Sequence, residues 1–213
     1  MSLPTTGGRA VGGGSSIRCL DVNDAGGHKS ECTADGTTHR VYIDEDVPSN
    51  FAYYLTLSVQ QDYDSNPNIY ALIQSSLTDT TDVRVQSVSI ATGTPWIYTT
   101  CSGSASYGGG SGYYRWCRRQ LLRFDPTRAN GEDCLADPSC MGWIACHELG
   151  HTLGLQHPGT YPNENSSSRV TCMEYAGQPG NPDAHDREHL EDCIPHPTPP
   201  PTNLTSACKN YDG

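Results

Sequence analysis

The sequence predicts an α+β fold. Three observations carry that prediction: short β-branched segments alternating polar and apolar residues, two stretches with helical spacing, and frequent punctuation by Gly and Pro. A chain of 213 residues suits one domain with a proper core, or two lobes sharing a cleft. Its 22 Gly and 15 Pro, beside only 17% charged residues, predict abundant loop. The net charge of −11 argues against nucleic acid and against anionic membrane surfaces as partners. No apolar run is long enough to insert in a membrane.

Residues 1–16, MSLPTTGGRAVGGGSS, read as a flexible Gly/Ser leader without the apolar core of a signal peptide. Residues 17–36 form a Cys-, Asp- and Gly-rich segment, read as a disulfide-closed loop. Residues 39–44, HRVYID, alternate and predict the first strand. Residues 51–63 follow, with Ser49 or Asn50 as cap; their apolar spacing fits a helix moderately and leaves a strand open. Strands are predicted over 69–75 and 83–90, the second with a slip read as a bulge. Residues 95–100 read as a short edge strand blunted by Pro95, and 102–112 as a flexible Gly-rich loop. Arg115, Arg118, Arg119 and Arg123 gather around a strand at 118–124, read as a solvated face paired with local acids. Asp137 and Pro138 are the N-cap and first-turn proline of a second helix. Pro182 and Asp183 open a last helix to about residue 192, before a stiff Pro-rich stretch.

The chemistry concentrates on that second helix. Residues 145–157 read ACHELGHTLGLQH, which places His147, Glu148, His151, Gly154 and His157 in one pattern. Side chains four apart on a helix stand one above the other, so His147 and His151 present two imidazoles to one ion. Gly154 lets the helix stop, because glycine enters a left-handed conformation without penalty, and His157 then returns as a third ligand. Three protein ligands leave a tetrahedral zinc one open position, the catalytic arrangement. Glu148, beside the metal, is placed to take the proton of an attacking water.

This string resembles the zinc signature of the metzincins, a clan of zinc endopeptidases. Those proteins carry a downstream Met-turn, and this chain has Thr171-Cys172-Met173-Glu174-Tyr175, with Met173 one of three methionines. The resemblance implies a twisted, mostly parallel sheet with an antiparallel edge strand, two long helices and a small C-terminal subdomain below the cleft. It divides the chain into a catalytic subdomain over 17–157, a second subdomain with the Met-turn and last helix over 158–194, and a Pro-rich linker and tail over 195–213. It implies a protein or peptide substrate extended along the edge strand. Met-x-Tyr is the form of astacin-like and serralysin-like members, so Tyr175 inherits the role of a switchable ligand and oxyanion donor; an ordinary buried tyrosine is the competing reading. Calcium is common among such proteins, but Asp21-Val22-Asn23-Asp24-Ala25-Gly26 lacks the ligands of a calcium loop. His185-Asp186-Arg187-Glu188-His189 formally matches the reversed zinc motif H-x-x-E-H, but no convincing third ligand follows it, and a solvated or capping role is favoured.

Ten cysteines point to an oxidising compartment, hence to secretion, and to a disulfide framework whose pairing sequence does not determine. Consecutive pairing would join Cys19 with Cys32, Cys101 with Cys117, Cys134 with Cys140, Cys146 with Cys172 and Cys193 with Cys208. The fourth has a physical argument: Cys146 precedes the first zinc ligand and Cys172 precedes Met173, so a bridge ties the helix to the turn beneath it. Cys19 also invites comparison with the prosegment cysteine of some metzincins, and a disulfide is favoured. Asn165 and Asn203 stand in glycosylation sequons. The resulting expectation is a secreted, monomeric zinc endopeptidase. The alternative is a zinc-containing binding or adhesion module on the same scaffold without turnover.

Overall fold

The computed structural model describes residues 33–34, 38–64, 69–102, 104–108, 113–117, 119–153, 155, 171–174, 181–184, 186–187 and 190. Within them the fold is α+β. Strands β1 (Thr33–Ala34) and β2 (Thr38–Ile43) precede helix α1 (Ser49–Ser58), which continues into a π-helical turn, Val59–Tyr63. Strands β3 (Tyr70–Gln74), β4 (Val83–Ser87), β5 (Ile97–Cys101), β6 (Ser104–Gly108), β7 (Tyr113–Cys117) and β8 (Gln120–Phe124) follow. Helix α2 (Pro126–Gly131), a 3-10 turn (Cys134–Ala136) and helix α3 (Pro138–Thr152) come next.

The main sheet has five strands in the order β3-β2-β4-β8-β5. Its first four run parallel, and β5 closes one edge antiparallel to β8. The antiparallel edge falls where the 95–100 segment was predicted to lie. Successive side chains of a strand point to opposite faces, and the buried residues obey that period. His39 and Val41 on β2, Val83 and Val85 on β4, and Gln120, Leu122 and Phe124 on β8 are all buried. Register carries this row to the edge, where Ile97 pairs with Phe124 and Thr99 with Leu122.

Helix α1 resolves the helix-or-strand ambiguity by what it buries. Phe51, Leu55 and Val59 recur every fourth residue and are all buried, while Tyr53, which a strand would place on the same face, is exposed; that combination is helical. Phe51 stacks on Phe124 with ring centroids 4.3 Å apart, and Trp96 meets Phe124 edge-on at 5.8 Å. Pairs of this kind contribute about 0.5–1.5 kcal/mol beyond their area. The cap is not the one predicted. Pro48 occupies that position without a side-chain bond, and its carbonyl accepts from Ala52. Asn50 instead reaches the Leu135 carbonyl through Nδ2 at 2.5 Å.

Other expectations need correction. The Gly-rich 102–112 segment is not a plain loop: β6 and β7 pair antiparallel, Ser104 opposite Cys117, in a small second sheet with β1. The strand from Val83 carries no bulge but ends at Ser87, after which the Val88 N–H bonds the Phe124 carbonyl. The arginines do not share one strand. Arg115 belongs to β7, Arg119 donates to the Thr78 and Thr81 carbonyls, and Arg123 reaches the Tyr98 hydroxyl at 3.1 Å. Arg118 lies outside the described residues.

The sheet grips the far end of α3 through a buried polar network. His39 Nε2 lies 2.8 Å from Thr152 Oγ1, whose own proton goes to the Leu149 carbonyl, so the imidazole donates to the hydroxyl. Gln120 donates to the Thr152 carbonyl. Burial pushes the His39 pKa down to about 3. The unfolded chain therefore takes up a proton below about pH 6.5 while the folded one stays neutral, and stability falls as pH drops from 6.5 toward 3. The slope attributable to this ring is about 1.4 kcal/mol per pH unit. Chemical unfolding of wild type and His39→Gln at pH 7 and pH 5 should show the difference between them shrinking at the lower pH. A constant difference would remove His39 as the titrating group.

Candidate metal centre

Helix α3 starts where the sequence places it. The Asp137 carboxylate accepts from the Ser139 N–H at 2.9 Å, and Pro138 fills the first turn, where its missing N–H costs nothing. A cap of this type is worth about 1 kcal/mol. From Ile144 to Thr152 every residue of the helix is buried, so the two histidines and the glutamate are buried inside the protein.

His147 and His151 stand on consecutive turns with their rings edge-on, centroids 4.5 Å apart. Each ring is oriented from behind. His147 Nδ1 lies 2.7 Å from the Cys172 carbonyl and His151 Nδ1 lies 2.8 Å from the Leu155 carbonyl. A carbonyl can only accept, so both Nδ1 atoms carry the proton and both Nε2 atoms present lone pairs. Those Nε2 atoms face each other at 3.0 Å. Two ligands about 2.0–2.1 Å from one tetrahedral ion would stand roughly 3.3 Å apart, so the pair fits a zinc-sized cation. Backbone carbonyls behind the ligating rings are the usual supporting shell of such sites. Burial also pushes the His151 pKa down to about 4, which keeps that ring neutral and able to ligate.

Glu148, between them in sequence, is 1% exposed. Its Oε2 accepts from the Thr99 hydroxyl at 3.1 Å. Burial raises the carboxyl pKa to about 7, and the Thr99 bond works in the opposite direction. A carboxylate near that value is matched to exchanging protons at neutral pH. Trp143, one turn before His147, flanks its ring at 5.3 Å.

Beneath the helix lies the turn the sequence singled out. The Glu174 N–H bonds the Thr171 carbonyl at 3.2 Å, closing a turn around Cys172 and Met173. Cys146 and Cys172 form a disulfide, as do Cys134 and Cys140, so two of the predicted pairs are present. Met173 is fully buried against the helix at Gly150. Tyr63, delivered by the π-helical turn, donates to the Cys146 carbonyl at 2.6 Å. Its pKa is driven well above the usual phenol value by burial, with Asp62 and Asp186 adding to the shift, so the donor keeps its proton. The turn is held from the other side by Asp186. This buried carboxylate accepts from Thr171 Oγ1 and from the Asp183 N–H, while Asp183 Oδ1 accepts from the Asp186 N–H. That reciprocal pair caps the helical turn that includes Ala184, Asp186 and Arg187.

Of the predicted site residues, the structure pairs His147 with His151, buries Glu148 on the same helix and packs Met173 against that helix at Gly150. His157, Gly154 and Tyr175 lie outside the described residues, as do His185, Glu188, His189, Asn165, Asn203, the 21–26 segment, Cys19, Cys32, Cys193 and Cys208. The Cys101 and Cys117 side chains are also outside them. Among the described residues no group of three or more His, Cys, Asp or Glu side chains converges as a metal site. No helix there is long and apolar enough to cross a membrane. Thr99, Tyr63, Gly150 and Asp186 were not anticipated. Only Gly150 had a sequence signal, since a glycine inside a helical pattern usually has a packing reason. No family model matches the chain, and comparison with curated proteins returns no match.

Proposed function

We propose that the chain is a secreted zinc-dependent endopeptidase that hydrolyses peptide bonds of protein substrates. One observation supports this reading most: two buried imidazoles, each fixed by a backbone carbonyl, turn their Nε2 atoms toward each other at 3.0 Å, on a helix that also carries the buried Glu148 carboxyl. His147 and His151 would hold the ion, with His157 as third ligand by the resemblance to metzincins. When bound, zinc supplies Lewis-acid polarisation of the peptide carbonyl and makes water nucleophilic near neutral pH. Glu148 takes the proton released as water attacks and returns it to the departing amine. Thr99, Tyr63 and Met173 hold their positions while this happens. Tyr175 is assigned, by the same resemblance, to donation toward the developing oxyanion. The two disulfides support an oxidising compartment. An intact buried Glu148 favours turnover over a binding module, because a purely structural metal site has no use for that carboxylate.

The test joins elemental analysis to casein or gelatin hydrolysis. The reading predicts one zinc per chain, with cleavage lost on chelation and restored by added zinc. Cleavage that survives removal of the metal, or a zinc-loaded chain that cleaves nothing, would sink it.

A further inference from the structure

The edge strand contributes more to this site than a border. Thr99 stands in the middle of β5, on the face that the register shares with Leu122 and Val85. Its neighbours along that row are apolar and buried, and Thr99 is itself fully buried. A hydroxyl in such a row needs a partner, since an unpaired one is costly. The partner it has is Glu148 Oε2, at 3.1 Å. The strand thereby reaches across the interface between sheet and helix to touch the group assigned as base.

We infer that Thr99 is a positioning residue for the Glu148 carboxylate. Its hydroxyl proton occupies Oε2, fixes the rotation of the carboxylate about its terminal bond, and leaves Oε1 as the atom that exchanges protons. A carboxylate with both oxygens equivalent would spend part of its time turned away from the reacting water. One donor on one oxygen removes that freedom, and reactivity depends steeply on such alignment. This inference rests on the proposed peptidase reading, since a positioned base needs a reaction.

The experiment uses the full chain in three forms: wild type, Thr99→Val, which replaces the hydroxyl by a methyl group of similar size, and Thr99→Ser, which keeps it. On a peptide cut by the wild type, Thr99→Val should lower kcat about tenfold, with KM within about twofold, the scale of losing one hydrogen bond to a charged group. Zinc content should stay that of wild type, and Thr99→Ser should recover most of kcat. A second readout does not involve turnover. In chelator-treated protein, the melting-temperature shifts of Thr99→Val and Glu148→Ala should fail to add in the double variant, as for any two groups in direct contact. An unchanged kcat in Thr99→Val, a serine variant as impaired as valine, or additive shifts would overturn the inference while leaving the peptidase reading in place. A wild-type chain without zinc-dependent cleavage would overturn both.

Discussion

Glu148→Ala should lose peptide hydrolysis while keeping its zinc. The proposed metal ligands are imidazoles whose orientation comes from the Cys172 and Leu155 carbonyls, and neither bond involves Glu148. Truncation therefore leaves the metal-holding geometry in place. What disappears is the only carboxylate the site reading assigns to proton transfer, in a pocket that raises its pKa to about 7. Positioned general bases contribute about 10²–10⁴-fold, so kcat should fall by at least that range's lower end, with zinc content unchanged. Glu148→Gln is the control for size, because it preserves a partner for Thr99 and still cannot accept the proton. Steady-state cleavage beside zinc analysis checks both variants. Undiminished cleavage by Glu148→Ala would remove the proposed base, whereas loss of zinc along with activity would assign Glu148 to metal retention instead.

Gly150→Ala should destabilise the chain, although the same substitution within an exposed helix usually gains about 1 kcal/mol. The sign reverses because of what lies underneath. An added Cβ would collide with Met173 Sδ, sit 2.7 Å from the Tyr63 hydroxyl and 3.2 Å from Met173 Cε. Neither neighbour has room to retreat. Met173 is fully buried, and the phenol is held by its bond to the Cys146 carbonyl. Overpacking a filled core costs about 1–3 kcal/mol, which leaves a net loss of up to about 2 kcal/mol after the propensity gain; at about 2–4 °C per kcal/mol for a chain of this size, Tm falls by up to about 8 °C. Thermal unfolding of Gly150→Ala measures the penalty, and the Gly150→Ala/Met173→Ala pair tests its cause. The methyl should cost less once the methionine is truncated. An equal cost in both backgrounds would place the clash elsewhere.

The parts of this molecule legible in the sequence are those governed by local spacing. His147 and His151 are four apart, Asp137 and Pro138 announce a helix start, and Cys146 and Cys172 flank the two elements that their bridge joins. The alternating HRVYID segment and the short run before Cys101 also declared their strands through period and punctuation. What escaped depends on register between distant segments. Nothing in the chain near Thr99 indicates that β5 will align its hydroxyl with Glu148, and nothing near Asp186 reveals that it will accept from Thr171. The hairpin of β6 and β7 escaped for a different reason: its Gly, Ser and Tyr residues lack the apolar alternation that marks a strand. The π-helical turn is equally silent, since Val59–Tyr63 reads as ordinary helix until Tyr63 is seen to reach the Cys146 carbonyl.

The bridge between Cys146 and Cys172 also bears on survival in the presence of proteolysis. A single cut in the intervening backbone would open the loop without separating its fragments, because the sulfur link still joins the helix to the turn. The fragment carrying Met173 would stay tethered to the one carrying His147 and His151. For a molecule assigned to breaking peptide bonds, and so exposed to its own kind, that is tolerance of self-inflicted nicks.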